Sequence, residues 1–196
     1  MLYVNSEAGI AVQTALTGKL TGTSLTSAHV DWFEQTHMPN CHTSLHQHVT
    51  ALYTKIETSC DINTGVRTQL IQALEAIDDA KTLPAVWVHG DFVPWNLKWS
   101  GEHKLSAIDW EETYPNGLPL QDLFLFRYIQ AHLLKLHTNV WDTARLPPAV
   151  AKYLNKWDIG QEQYKKLALF YLVDAWFRSQ ERADDAFAAF ILSEIV

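Results

Sequence analysis

His89-Gly90-Asp91-Phe92-Val93-Pro94-Trp95-Asn96, with Ile108-Asp109-Trp110-Glu111 following it, is the stretch on which the reading of this chain turns. Between the two segments, Leu97-Lys98-Trp99 and Lys104-Leu105-Ser106-Ala107-Ile108 predict a β-hairpin turned at Ser100-Gly101-Glu102-His103. A four-residue turn sets Trp99 opposite Lys104 and Asn96 opposite Ala107. Asp109 then lies diagonally from Asn96 on the same face, because Ala107 and Asp109 share parity. Diagonal neighbours are about 7–8 Å apart, so an amide oxygen and a carboxylate can reach a common ion. Hard oxygen donors of this kind suit a magnesium ion carried in with a nucleotide. Asp91 lies in the loop entering the hairpin, where a carboxylate can accept a proton from an attacking hydroxyl.

Outward from this segment the patterning is mostly helical. Upstream, Leu45, Val49, Leu52 and Ile56 form one helical stripe, and Val66, Leu70, Ala73, Leu74 and Ile77 form a second. Thr23 to Ser27 supplies capping residues for a short helix through Ala28–Phe33 that closes near Pro39. Gly9 to Leu16 is a short strand-like run, and Ala85-Val86-Trp87-Val88 reads as a buried strand. Downstream, helices are expected over about 120–137, 147–156, 160–179 and 182–195. Pro147-Pro148 is placed to open one of them. The fold class is α+β, mainly helical.

Bulk properties narrow the function. With 196 residues, 47% of them apolar and 19% charged, the chain can bury one core and suits a single domain. A net charge of −7 argues against nucleic acid, which requires clustered Lys and Arg. Cys41 and Cys60 are too few for a disulfide framework, and no secretory signal or membrane span is legible, so a cytoplasmic protein without a membrane partner is expected.

The order His-Gly-Asp-x-x-x-x-Asn, then an apolar strand ending in Ile-Asp-Trp-Glu, resembles the aminoglycoside phosphotransferase and choline kinase group. That group shares the protein-kinase-like fold. Five positions separate Asp91 from Asn96 and thirteen separate Asn96 from Asp109, the spacing such kinases use. The resemblance implies that Asp91 is the catalytic base, Asn96 a magnesium ligand, and Asp109 the principal magnesium ligand. It also implies that His89 supports the catalytic loop. Gly117-Leu118-Pro119-Leu120-Gln121-Asp122-Leu123 resembles a further family run, whose aspartate, here Asp122, steadies that loop from a helix start. Motif-level similarity covers about residues 86–126. The implied activity is transfer of the ATP γ-phosphate to a hydroxyl of a small polar molecule, with Mg2+ as cofactor. Glu111 and Trp176 are weaker substrate-side candidates.

The family's smaller amino-terminal lobe, with its phosphate-covering loop and strand lysine, has no counterpart in this sequence. Gly9 to Leu20 resembles the interlobe hinge that meets adenine through backbone groups, with Gln13, Thr14 and Ala15 the implied contacts. The reading is a kinase-like C-terminal lobe: 1–20 hinge strand, 21–84 helices, 85–112 catalytic and metal-binding hairpin, 113–196 helical substrate-side subdomain. The missing lobe then comes from a partner or a further segment. The rival reading is a truncated, non-catalytic kinase-derived binding module, and a metallophosphoesterase ranks behind it for want of further His and Asp ligands. Cys41, His42, His46 and His48 suggest zinc, yet without a second ligand pair they read as solvated helix positions. Trp141, Trp157, Tyr171, Trp176 and Phe177 read first as core, and Glu181, Asp184 and Asp185 as a wet helix face.

Overall fold

The computed structural model describes residues 2–5, 10–13, 18–77, 79–100, 104–135, 143 and 146–195, with backbone alone for those before 18. Strands β1 (Leu2–Asn5) and β2 (Ile10–Gln13) pair antiparallel. After β3 (Lys19–Leu20) come α1 (Ser27–Gln35), β4 (His37–Ser44), α2 (Leu45–Thr58), α3 (Thr64–Ile77) and β5 (Thr82–Val88). A 3₁₀ turn at Pro94–Asn96 leads into β6 (Leu97–Ser100) and β7 (Lys104–Ala107). β8 (Tyr114–Gly117) and then α4 (Gln121–Leu134), α5 (Pro148–Lys156), α6 (Gln161–Glu181) and α7 (Asp185–Glu194) complete the order. The fold is mainly helical α+β, as the sequence predicts.

Helix starts are written in the sequence. Ser44 caps α2 and Gln47 returns the contact, its Oε1 accepting from the Ser44 N–H at 3.1 Å, the reciprocal arrangement of a capping box. At α1 a histidine takes the acid's place: His29 Nδ1 accepts from the Thr26 N–H at 3.2 Å. The α2 stripe of Leu45, Val49, Leu52 and Ile56 is buried throughout, as are Leu70, Leu74 and Ile77 of α3. Both helices pack on α6, whose Leu167, Phe170, Tyr171, Leu172, Val173 and Trp176 make it the axis of the core.

After residue 20, two of the described strands were not expected. β4 lies at one edge of the sheet β4-β5-β8 and β8 at the other. The β4–β5 register shifts between His37 and His42, where Pro39 and the left-handed Asn40 (φ 60°) fall. An edge strand tolerates proline at such a bulge because no ladder bond is lost there. Pro39 therefore sits inside a strand rather than closing α1. Cys41 and His42 lie in β4 rather than in a helix, while His46 and His48 lie in α2.

The hairpin register also differs from expectation. Ser100 pairs with Lys104 and Leu97 with Ala107, one residue out from the predicted alignment. Asn96 lies in the 3₁₀ turn, its carbonyl accepting from the Ile108 N–H at 2.9 Å. Asp109 follows the end of β7 with φ 65°. Strand parity therefore does not set the direction of Asp109, which lies in a left-handed turn.

Candidate active site

Where β5 ends, the chain turns at His89-Gly90. Gly90 has φ +80°, and a Cβ there would meet the Glu112 carbonyl oxygen at 2.4 Å, so both conformation and space demand glycine. The turn is held from the start of α4. Asp122 accepts from the His89 N–H at 2.9 Å and from the Gly90 N–H at 3.1 Å, one donor on each oxygen. Burial pushes the Asp122 carboxyl up to about 6, opposed by those two N–H groups and by Arg178. The first turn of a helix also favours a carboxylate.

The next residues root the loop. His89 is fully buried, and its Nδ1 accepts from the Asp91 N–H at 3.3 Å. Burial lowers its affinity for a proton, against the opposing pull of the Asp91 carboxylate, the Ile108 backbone and Asp109. A buried neutral imidazole turned toward the Asp91 backbone acts as a scaffold. Phe92, fully buried, meets the rings of Phe33 at 5.4 Å, Trp32 at 5.8 Å and Phe126 at 6.2 Å.

Asp91 and Asn96 meet directly. Asn96 Nδ2 donates to the Asp91 carboxylate at 2.7 Å and to its backbone carbonyl at 3.1 Å. Burial raises the Asp91 pKa, opposed by the Asn96 hydrogen bond, Arg182 and His89 and reinforced by Asp109. A carboxylate raised in this way is a better base than an exposed one. Asp109 is exposed, and its charge is felt at both Asp91 and His89. The chain after it is pinned: Trp110 Nε1 donates to the Ala107 carbonyl at 3.1 Å, and Thr113 Oγ1 donates to the Val88 carbonyl at 2.6 Å. The Trp110 ring lies 4.7 Å from His89 and 5.4 Å from Trp32.

These donors fit a magnesium ion in their chemistry. With the Asn96 amide nitrogen spent on Asp91, its oxygen is the end left for a ligand, beside the Asp91 carboxylate. Among the described residues no three His, Cys, Asp or Glu side chains gather into a metal-holding group. One amide and one carboxylate, from Asn96 and Asp109, would leave most of an octahedron to phosphate oxygens and water.

Beside the loop lies a cleft floored by Gly90 and Asp122 and walled by Tyr114, Tyr171, Arg178 and Arg182. Arg178 Nε donates to Asp174 at 2.8 Å, and its guanidinium covers the Tyr114 ring 4.6 Å from the centroid. Arg182 Nη2 meets Glu112 at 2.5 Å, tying the end of α6 to the segment after Asp109. Sequence reasoning missed Arg178, Arg182 and Glu112; the only signal was basic residues one turn apart near the end of a long helix. Of the weaker substrate candidates, Glu111 is exposed in the turn after Trp110. Trp176 packs in the core at 6% exposure, and the cleft is instead lined by its neighbours Tyr171, Asp174, Ala175 and Arg178. Asp184 caps α7 through the Phe187 N–H at 3.0 Å and also lines the cleft. Gln13 ends β2, while Thr14 and Ala15 lie outside the described residues.

The sequence model of the family described as "Phosphotransferase enzyme family" matches residues 42–170. The fold is similar to that of a choline kinase from Streptococcus pneumoniae, with a TM-score of 0.58 and 15% identity. That match covers 100% of this chain and 72% of the kinase. A thermostable mutant of an aminoglycoside phosphotransferase matches with a TM-score of 0.47 and 16% identity, over 78% of this chain and 51% of that one. A type I macrolide 2'-phosphotransferase matches with a TM-score of 0.44 and 17% identity, over 78% and 48%. The chain thus spans about half the length of these last two. No curated protein matches by sequence.

Proposed function

The chain belongs to the phosphotransferase enzyme family, and on that premise we propose that it transfers the γ-phosphoryl group of ATP to a hydroxyl of a small polar molecule. The observation that carries the reading is the Asp91–Asn96 contact at 2.7 Å, on a loop whose backbone is held by Asp122. Asp91 orients the acceptor hydroxyl and takes its proton. The hydroxyl oxygen forms a bond to the γ-phosphorus, the bond from that phosphorus to the β–γ bridging oxygen breaks, and ADP leaves. Asn96 and Asp109 would hold Mg2+, which supplies positive charge to the phosphate oxygens when bound. Asp122 and His89 fix the backbone from which Asp91 projects.

The Asp91 role has a direct test. ADP formation from Mg-ATP is measured against a panel of hydroxyl compounds, for the parent chain and for Asp91→Ala. General-base loss predicts a fall in kcat of about 10²- to 10⁴-fold, with Mg-ATP binding retained in calorimetry. Equal rates in the two proteins would remove Asp91 from the chemistry. Calorimetry showing no Mg-dependent nucleotide binding would instead favour a kinase-derived binding module.

A further inference from the structure

The cleft beside Asp91 holds ionisable and aromatic groups that are unequally engaged. Asp174 is paired with Arg178, Asp184 with the Phe187 N–H, and Asp122 with two backbone N–H groups. The Tyr114 ring already carries the Arg178 guanidinium, and Tyr171 is stacked on Tyr128 with the ring planes 14° apart. A quaternary ammonium is recognised by open aromatic faces or by an uncommitted carboxylate. Each of these carboxylates already holds at least one donor, and each of the two tyrosine rings already has a neighbour on it.

Arg182 stands apart from them. Its contact with Glu112 uses Nη2, its side chain is 46% exposed, and a guanidinium has five N–H donors in a fixed fork. It lines the same cleft as Gly90, and its charge reaches the Asp91 carboxyl. An anion in the cleft could therefore engage the remaining N–H groups without breaking the Glu112 pair. Arg178, one turn earlier on α6, is engaged by Asp174 on the same wall, which leaves Arg182 as the guanidinium facing the solvent side of the cleft.

We propose that the acceptor is an alcohol bearing an anionic group, a carboxylate or a phosphate monoester, and that Arg182 reads this group while the hydroxyl faces Asp91. The proposal rests on the phosphotransferase reading and deepens it. Arg182 is then a specificity-determining residue. A charge-assisted, bidentate contact accounts for selectivity of about 10- to 100-fold.

The experiment uses the full chain and has two parts. Calorimetry with Mg-ATP reports nucleotide binding independently of any acceptor. ADP formation and saturation-transfer NMR then compare matched pairs: glucose with glucuronate, glycerol with glycerate, and glycerol with glycerol 3-phosphate, with choline as the cationic member. The expected result is binding and turnover of an anionic member about 10-fold or more above its neutral partner, with choline inactive. The carboxylate and phosphate pairs separate the two anion types. Arg182→Met is expected to raise KM for the preferred anionic alcohol about 10- to 100-fold, with Arg182→Lys recovering part of it; thermal unfolding checks that each variant is folded. Preference for a neutral alcohol or for choline, with Mg-ATP bound and consumed, overturns the proposal and leaves the phosphotransferase reading standing. Absence of Mg-ATP binding and of ADP formation with every acceptor overturns that reading, and this proposal with it.

Discussion

The loop from His89 to Asn96 and the wall formed by the end of α6 face the same cleft but are held by different physics. The loop hangs on buried groups: Asp122 on two backbone N–H donors, His89 at 0% exposure, and Phe92 within a nest of rings. The wall hangs on ion pairs with water around them, Arg182 being 46% and Glu112 41% exposed. Interactions of the first kind are lost all at once, because a buried polar group without its partner is costly. Those of the second kind are weak and screened, with a typical worth of about 0–1 kcal/mol. The difference would suit the proposed roles, a base that is fixed and an acceptor-facing surface that can give.

The sharpest way to break this comparison is at Phe92. Replacing it with alanine leaves a cavity among Phe33, Trp32 and Phe126 and is expected to cost about 3–5 kcal/mol in urea unfolding. A loss below 1 kcal/mol would mean the loop is not anchored by its core side chain.

The next effect is electrostatic and concerns two buried groups with opposed pH dependence. Burial lowers the His29 pKa from 6.5 to about 4. Its unfolded form binds more protons in that window, so its contribution is present above pH 6.5 and is lost as pH falls toward 4. Burial raises Asp122 from 3.8 to about 6, so its contribution is present below pH 3.8 and is lost as pH rises through 6. Each spans about 3 kcal/mol at 1.36 kcal/mol per unit, and over pH 4–6 the two oppose each other. In denaturation at several pH values, Asp122→Asn is expected to expose the His29 slope, with stability falling on acidification. His29→Phe is expected to expose the reverse slope. Parallel pH profiles for the two variants would show that neither group titrates as its burial implies.

The smallest effect tests the wall. Glu112→Gln is expected to change stability by less than about 1 kcal/mol, and that change should shrink as salt rises, because exposed pairs are screened. A salt-insensitive loss of several kcal/mol would place Glu112 with the buried scaffold and erase the contrast between the two regions.

The same contrast explains what could be read from the residue order. The meeting of Asp91 with Asn96 was legible because five positions of one loop separate them, whereas Asp109 was placed by a strand parity the hairpin does not follow. All seven described helices were legible because α2, α3 and α6 bury stripes at helical steps. The hairpin register slipped by one because turn length fixes alignment, and Ser100 is paired within the ladder rather than spent in the turn. β4 was hidden because Pro39 and His42 fit an edge strand only when a bulge removes the need for regular pairing. Arg182 was hidden for a different reason: its partner Glu112 is distant in sequence, and no local period announces a contact made by folding.

Trp110 gives the molecule an optical consequence. Its indole stands next to Asp109, lies tilted against the buried imidazole of His89, and is 5.4 Å from the indole of Trp32. Two indoles at that separation share their excited states, so their circular dichroism reports their mutual angle. With one of the pair 41% exposed next to Asp109, the protein carries its own spectroscopic gauge of that turn, with no dye attached.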